Sequence, residues 1–278
     1  MKYTYLTLIV LLTLSSCSDV ETAPTFLSET AVVEGYIFAN QAVDSLRITQ
    51  SISYNGDGTI IAIDELTVII NDGITDIPLE SIGNGYYRNL NHIVKEDTNY
   101  TLFFEYRGET VIASTYVNTS KTIEISKNTL ALEKIEFSGP GSGLPAGLNL
   151  TQEIVEVTWD NSELSYYFVD VEHLETEPEY VHGVFEYFED QGIERPGRFF
   201  RSEPNIVNFY SLDSRRELQF FGTYEITVYR LNAEYAALYN TIGSSTLSLQ
   251  EPPSNIENGL GIFTAVTAHK LRLEVVKK

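Results

Sequence analysis

The chain has 278 residues, 39 acidic against 18 basic, for a net charge of −21. That balance repels phosphate backbones and excludes nucleic-acid binding. Hydrophobic residues at 43% provide for one large or two ordinary cores, and a single cysteine excludes a disulfide framework or a cysteine-rich metal site.

Met1 and Lys2 make a short positive start, followed by an apolar run over residues 3–14. A dozen residues is the size of a secretory h-region, whereas a bilayer takes about 20. No later segment is apolar for that length. Leu14-Ser15-Ser16-Cys17 resembles the lipobox of bacterial lipoproteins, in which small residues admit a peptidase and the thiol takes up diacylglycerol. Residues 1–16 are therefore expected to be a lipoprotein signal peptide, with Cys17 acylated and held in membrane lipid. Ser18-Asp19-Val20-Glu21 resembles the acidic export signal of surface lipoproteins. Residues 17–30 form the tether, and thirteen extended residues after the cysteine reach at most about 45 Å.

From residue 31 the chain alternates with period two between turn signals. Ala31–Phe38 and 45–52 read as strands, Asn55-Gly56-Asp57-Gly58 as a turn, and Leu66, Val68 and Ile70 share one strand face. Asn71-Asp72-Gly73, Gly83-Asn84-Gly85 and Arg107-Gly108 mark hairpins, because Asn, Asp and Gly tolerate positive φ. Roughly seven short strands over residues 31–120 argue for an immunoglobulin-like or transthyretin-like sandwich. A Gly-, Ser- and Pro-rich stretch at 138–147 marks a flexible junction.

The second domain, 121–278, opens with Ile154–Trp159, turns at Asp160-Asn161-Ser162 and continues with Tyr166–His173. These segments resemble strands B and C of a fibronectin type III sandwich, and 222–229 resembles its strand F, with Tyr224, Ile226 and Val228 inward. One helix is expected at 233–242, where Tyr235, Leu238, Tyr239 and Ile242 form an apolar stripe, Asn232 the cap and Gly243 the stop. The expected fold class is all-β: two antiparallel β-sandwich domains with one short helix near the C-terminus.

The signal, the lipobox and a series of segments together resemble one family. The segments are Val32-Val33-Glu34-Gly35-Tyr36-Ile37, Ile70-Asn71-Asp72-Gly73, Gly85-Tyr86-Tyr87, Tyr106-Arg107-Gly108-Glu109, Ala233-Glu234-Tyr235, Pro252-Pro253-Ser254-Asn255-Ile256 and Asn258-Gly259-Leu260-Gly261-Ile262-Phe263. The family is that of Bacteroidetes outer-membrane lipoproteins carrying a domain of unknown function, family 4249. Members often follow the first domain with a Pro-rich run, and 117–129 contains no Pro. The resemblance implies a non-catalytic lipoprotein, lipid-anchored in the outer membrane and facing the cell exterior. Its implied partner is a TonB-dependent outer-membrane β-barrel, to which it is an accessory in nutrient capture.

Chemistry-bearing patterns are sparse. His173 and His182 flank an acidic stretch but match no metal motif, and no nucleophile elbow, phosphate loop or dinucleotide fingerprint occurs. No enzyme activity, metal or cofactor is expected. Residues 180–221 hold ten aromatics: Tyr180, Phe185, Tyr187, Phe188, Phe199, Phe200, Phe209, Tyr210, Phe220 and Phe221. The same region carries Arg195, Arg198, Arg201, Arg215 and Arg216. If adjacent aromatic pairs lie on strands, one ring of each pair faces outward. Arg195, Arg198, Arg201, Phe199, Phe200, Tyr187 and Phe188 are thus the candidate partner or ligand contacts. The second reading is a carbohydrate-binding or adhesion module using exposed aromatics.

Overall fold

The computed structural model describes residues 29–51, 59–137, 139, 152–192, 198–243 and 253–278. The signal peptide, Cys17, the 55–58 turn, most of the 138–147 stretch and Arg195 lie outside the described residues.

Among the described residues there are eighteen strands and two helices. The N-terminal part holds β1 (Ala31–Phe38), β2 (Ala42–Gln50), β3 (Ile61–Ala62), β4 (Val68–Asn71), β5 (Asp76–Gly83), β6 (Tyr86–Ile93), β7 (Thr98–Tyr106) and β8 (Glu109–Val117). After these come β9 (Ile123–Ile125), β10 (Thr129–Leu132), β11 (Ile154–Trp159), β12 (Tyr166–His173) and β13 (Glu179–Tyr180). Helix α1 (Gly183–Asp190) precedes β14 (Phe199–Arg201), β15 (Phe209–Asp213) and β16 (Phe220–Leu231). Helix α2 (Ala233–Gly243), β17 (Ile256–Glu257) and β18 (Leu260–Lys277) complete the chain. The fold is all-β, as expected, with a second helix that the alternation argument did not foresee.

The turns form where the sequence supplies residues that tolerate positive φ. Arg107 (φ 53°) and Gly108 (φ 84°) make a two-residue hairpin whose left-handed backbone matches strand twist. At 71–75 the Asp72 carboxylate accepts from the N–H groups of Ile74 and Thr75, and Lys95 lies 3.1 Å from it. Strand β5 forms the corner of the first sandwich. Residues 76–79 pair with β4 and residues 80–83 with β6, so one strand joins both layers. Between the layers lie Leu46, Ile48, Tyr87, Tyr100, Leu102 and Phe104, all buried.

The second sandwich faces β12, β16 and β18 against a three-stranded sheet ordered β15-β11-β9. Its core joins Val155, Val157, Trp159 and Leu212 to Tyr167, Val169, Val171, Tyr224, Ile226, Val228 and Leu273. Strict alternation along β11 aims the Val155, Val157 and Trp159 side chains inward and leaves Glu156 and Thr158 outside.

Strand β18 runs through both sandwiches. Its first seven residues pair in parallel with β1, from Val32↔Leu260 to Phe38↔Val266. From Val266 onward it pairs antiparallel with β16, ending at Gly222↔Val275. At about 3.3 Å per residue, its eighteen residues span about 59 Å. The division expected at residue 120 therefore does not separate the cores: Ile256, Phe263 and Ala265 belong to the N-terminal one. Gly35 is the partner of Phe263, and a Cβ there would fall 2.9 Å from the Phe263 ring.

A third, small core closes the junction, where Phe168, Leu231 and Val266 pack with Phe38, Tyr166, Tyr229 and Tyr235. Helix α2 contributes to both sides. Tyr235 meets Tyr36 edge-on at 5.9 Å and lies 6.4 Å from Phe168. The stripe expected on this helix is only partly covered: Ala236 is its buried residue and Tyr239 is exposed. Asn232 also differs from the expected cap. Its Nδ2 donates to Thr115 Oγ1 and the Tyr116 carbonyl, both at 2.9 Å, and its Oδ1 accepts from Asn118. The side chain thus stitches the helix start to β8 of the first sandwich.

Candidate functional site

The described residues of the cluster anticipated from the sequence divide among four places. Phe199 and Arg201 lie on the edge strand β14, paired with Glu172 and Asp170 of β12. Arg201 donates twice to the Asp170 carboxylate at 2.7 Å, and its guanidinium lies 5.1 Å from the Phe168 ring centre and 5.2 Å from that of Phe199. Asp170 is 6% exposed. The bidentate pair raises the Arg201 pKa and screens a carboxylate that the sheet would otherwise bury unpaired. Phe199 keeps 49% of its surface in water, with one face under Arg201.

Phe200 points the other way, as β alternation requires, and packs against the second core 6.4 Å from Tyr210, with Arg216 over its ring at 4.8 Å. Arg198 donates to the carbonyls of Glu175 (2.7 Å) and Thr176 (3.1 Å), which fixes a loop. Tyr187 and Phe188 belong to a helix instead of a strand: Tyr187 meets Phe137 edge-on at 5.4 Å, and Phe188 is exposed. Among the described residues of the anticipated set, only Phe199 and Arg201 form a joint surface. Arg195 lies outside the described residues.

The histidines are structural. His173 Nε2 lies 3.0 Å from the Phe221 carbonyl, and both His173 and His182 are buried. Burial lowers their pKa values and keeps the neutral form in place near neutral pH. Among the described residues no three His, Cys, Asp or Glu side chains are grouped to hold a metal ion.

A more open arrangement lies on the outer face of the three-stranded sheet. Register places Phe209 of β15 opposite Thr158 of β11, and Thr158 opposite Glu124 of β9. One row across the sheet thus reads ring, hydroxyl, carboxylate. The next row sets Ser211 against Glu156. Phe209, Thr158, Glu124 and Glu156 line an open cleft of about 590 Å³ with Thr122, Asp160 and Asn208, and Trp159 borders it. A second cleft of about 400 Å³ adjoins it through Trp159, Asp160 and Asn208 and is lined by Leu164 and Ile206. Phe209 is 52% exposed, and Leu164 and Ile206 of the adjoining cleft are exposed too. The Trp159 indole donates to the Val207 carbonyl at 2.9 Å, which holds the 206–208 segment over the strand end. Sequence reasoning counted Phe209 among the aromatics but did not select it. The signal was present, since inward Tyr210 and Leu212 force Phe209 outward.

A third cleft of about 420 Å³, lined by Glu29, Tyr106, Arg107 and Asn258, lies where the chain enters the first sandwich.

A family model described as "Domain of unknown function (DUF4249)" matches residues 19–272, and the chain belongs to that family. No curated protein matches it. Among solved structures, a titin A168–A169 substructure covers 90% of this chain and 97% of its own, at 8% identity and TM-score 0.22. A titin I67–I69 variant covers 89% and 64%, at 10% identity and TM-score 0.21. The mouse nectin-like molecule 4 ectodomain covers 90% and 64%, at 10% identity and TM-score 0.18. At those scores the likeness says nothing about this chain's architecture, which rests on its own strand pairing.

Proposed function

We propose that the protein is a non-catalytic surface lipoprotein, acylated at Cys17, that stands in the outer membrane facing outward and assists a TonB-dependent transporter in nutrient capture. The observation that carries this reading is the through-going strand. The chain enters at residues 29–30, beside the start of β18, and β18 ends in the second sandwich. A tether at that point would place the first sandwich near the lipid and hold the aromatic-bearing second sandwich away from it. Rigid extension of this kind suits a subunit that positions a binding surface beside a pore.

The experiment is affinity purification of the lipidated full chain from detergent-extracted outer membranes. Co-purification of a TonB-dependent β-barrel is the expected result, and a preparation free of any barrel protein contradicts the transporter role.

A further inference from the structure

We infer that the outer face of the β15-β11-β9 sheet is a binding groove for an uncharged oligosaccharide. The groove lies away from the Phe199–Arg201 edge, and its test involves no transporter.

Its central feature is the Phe209 ring. At 52% exposure it stands on a pleat among polar neighbours, and no ring or cation among the described residues stacks on it. Phe199, by contrast, already carries Arg201. A single exposed apolar residue needs no explanation, but the cleft that Phe209 lines shares Trp159, Asp160 and Asn208 with an adjoining cleft lined by exposed Ile206 and Leu164. The same cleft is lined by Thr158 and Thr122, Asn208, and the acids Glu124 and Glu156.

Sugars present this surface with its complement, because one face of a pyranose is lined with C–H groups that stack on an aromatic ring. Its equatorial hydroxyls donate to carboxylates and exchange hydrogen bonds with hydroxyl and amide groups. Strand spacing sets the scale. Phe209, Thr158 and Glu124 stand at successive steps of about 4.8 Å, a row that a disaccharide can follow.

Charge and shape narrow the class. The three acids Glu124, Glu156 and Asp160, with Lys121 3.9 Å from Asp160, disfavour uronic or phosphorylated glycans. An ammonium ligand calls for carboxylates and ring converging on one point. Here Glu124 and Glu156 stand in different rows of the sheet, and among the described residues no three His, Cys, Asp or Glu side chains converge to hold a metal ion.

The test titrates the detergent-solubilised full chain with cellohexaose, maltohexaose, xylohexaose and chitohexaose, with hexagalacturonate and tetralysine as charged probes, following the heat of binding by calorimetry. The expected result is saturable binding of at least one neutral hexaose, with no binding of hexagalacturonate. Phe209→Ala should weaken that binding at least about tenfold, while Phe209→Tyr retains it. Both variants should keep the parent thermal midpoint, since the residue is on an edge strand and half exposed. Absence of binding by all four neutral sugars at millimolar concentration overturns the inference, as does binding indifferent to Phe209→Ala. Phe209-dependent binding of tetralysine alone also overturns it, in favour of a basic protein partner.

Discussion

Tyr224 is buried at the start of the segment expected to be an inward-facing strand. Its hydroxyl accepts from the Phe220 N–H at 2.8 Å and donates to the Phe220 carbonyl at 3.1 Å. The phenol thus closes back on the first residue of its own strand, across Gly222 with φ 118°. Burial raises its pKa, so the phenol stays protonated and keeps its donor. Tyr224→Phe removes both bonds without changing the ring and should cost about 1–2 kcal/mol. Urea titration of the two proteins checks this, and equal midpoints contradict the assigned role.

Histidines supply a second prediction at this scale. His92, His173 and His182 have folded pKa values lowered by burial, so the unfolded chain takes up their protons first as pH falls. Stability from these groups is complete above the unfolded value of about 6.5 and is lost as pH drops below it. Facing His173 are Glu175 and Arg198, of which Glu175 opposes the shift. Thermal midpoints should therefore be lower at about pH 5 than at about pH 7.5, before carboxylates contribute. Unchanged midpoints contradict burial of these rings. The alternation of Val155, Val157 and Trp159 made their inward direction legible in the sequence. The partners of the basic side chains were not legible: Arg198 and Arg201 both sat in one suggestive cluster, and only the register of β14 on β12 shows that Asp170 takes Arg201.

Among the elements, β18 and α1 mark where local pattern stops being sufficient. The sequence placed strands at Ala31–Phe38 and Tyr166–His173, and they form there. The outward direction expected for one ring of each aromatic pair in 180–221 held only if the pairs lay on strands, and Tyr187 and Phe188 lie on a helix. Helix α1 has no side chain capping its N-terminus, which removed the usual start signal. Its stop was readable: Gly192, two residues past the helix, has φ 69° and donates its N–H to the Glu189 carbonyl.

Gly261 tests the pairing of β18 with β1. It has φ 99°, and a Cβ there would lie 2.1 Å from the Val33 carbonyl oxygen, which is backbone and cannot yield. Gly73 has φ 85° but open space around the same position. Gly261→Ala should therefore destabilise by more than about 3 kcal/mol, whereas Gly73→Ala carries only the conformational penalty of about 1 kcal/mol. Comparable denaturation midpoints for the two variants contradict the close approach.

For the whole molecule, the consequential feature is that two sandwiches share one strand and a polar junction. Arg230 is 4% exposed at that junction and donates to Ser165 Oγ at 2.9–3.0 Å, to the Thr119 carbonyl at 3.0 Å and to Glu163. Lys121 and Arg230 hold the Glu163 carboxyl below its usual range. Arg230→Met leaves the Thr119 carbonyl and Ser165 without their donor and should cost about 2 kcal/mol. The parent should unfold in one transition, and the variant should begin to separate into two, as read by Trp159 emission for the second sandwich and circular dichroism for the whole. Coincident single transitions in both contradict mechanical coupling through this residue. Two sandwiches were legible from the turn signals. Their continuity was not, because parallel pairing of β1 with a strand more than 220 residues later leaves no local trace.

The proposed role turns on the anchor, and intact-mass analysis of the protein extracted from the membrane fraction tests it most directly. The predicted result is a chain that begins at Cys17 and carries two or three acyl chains. A free Cys17 thiol, or a chain that retains residues 1–16, would contradict the proposed location and the proposed role together.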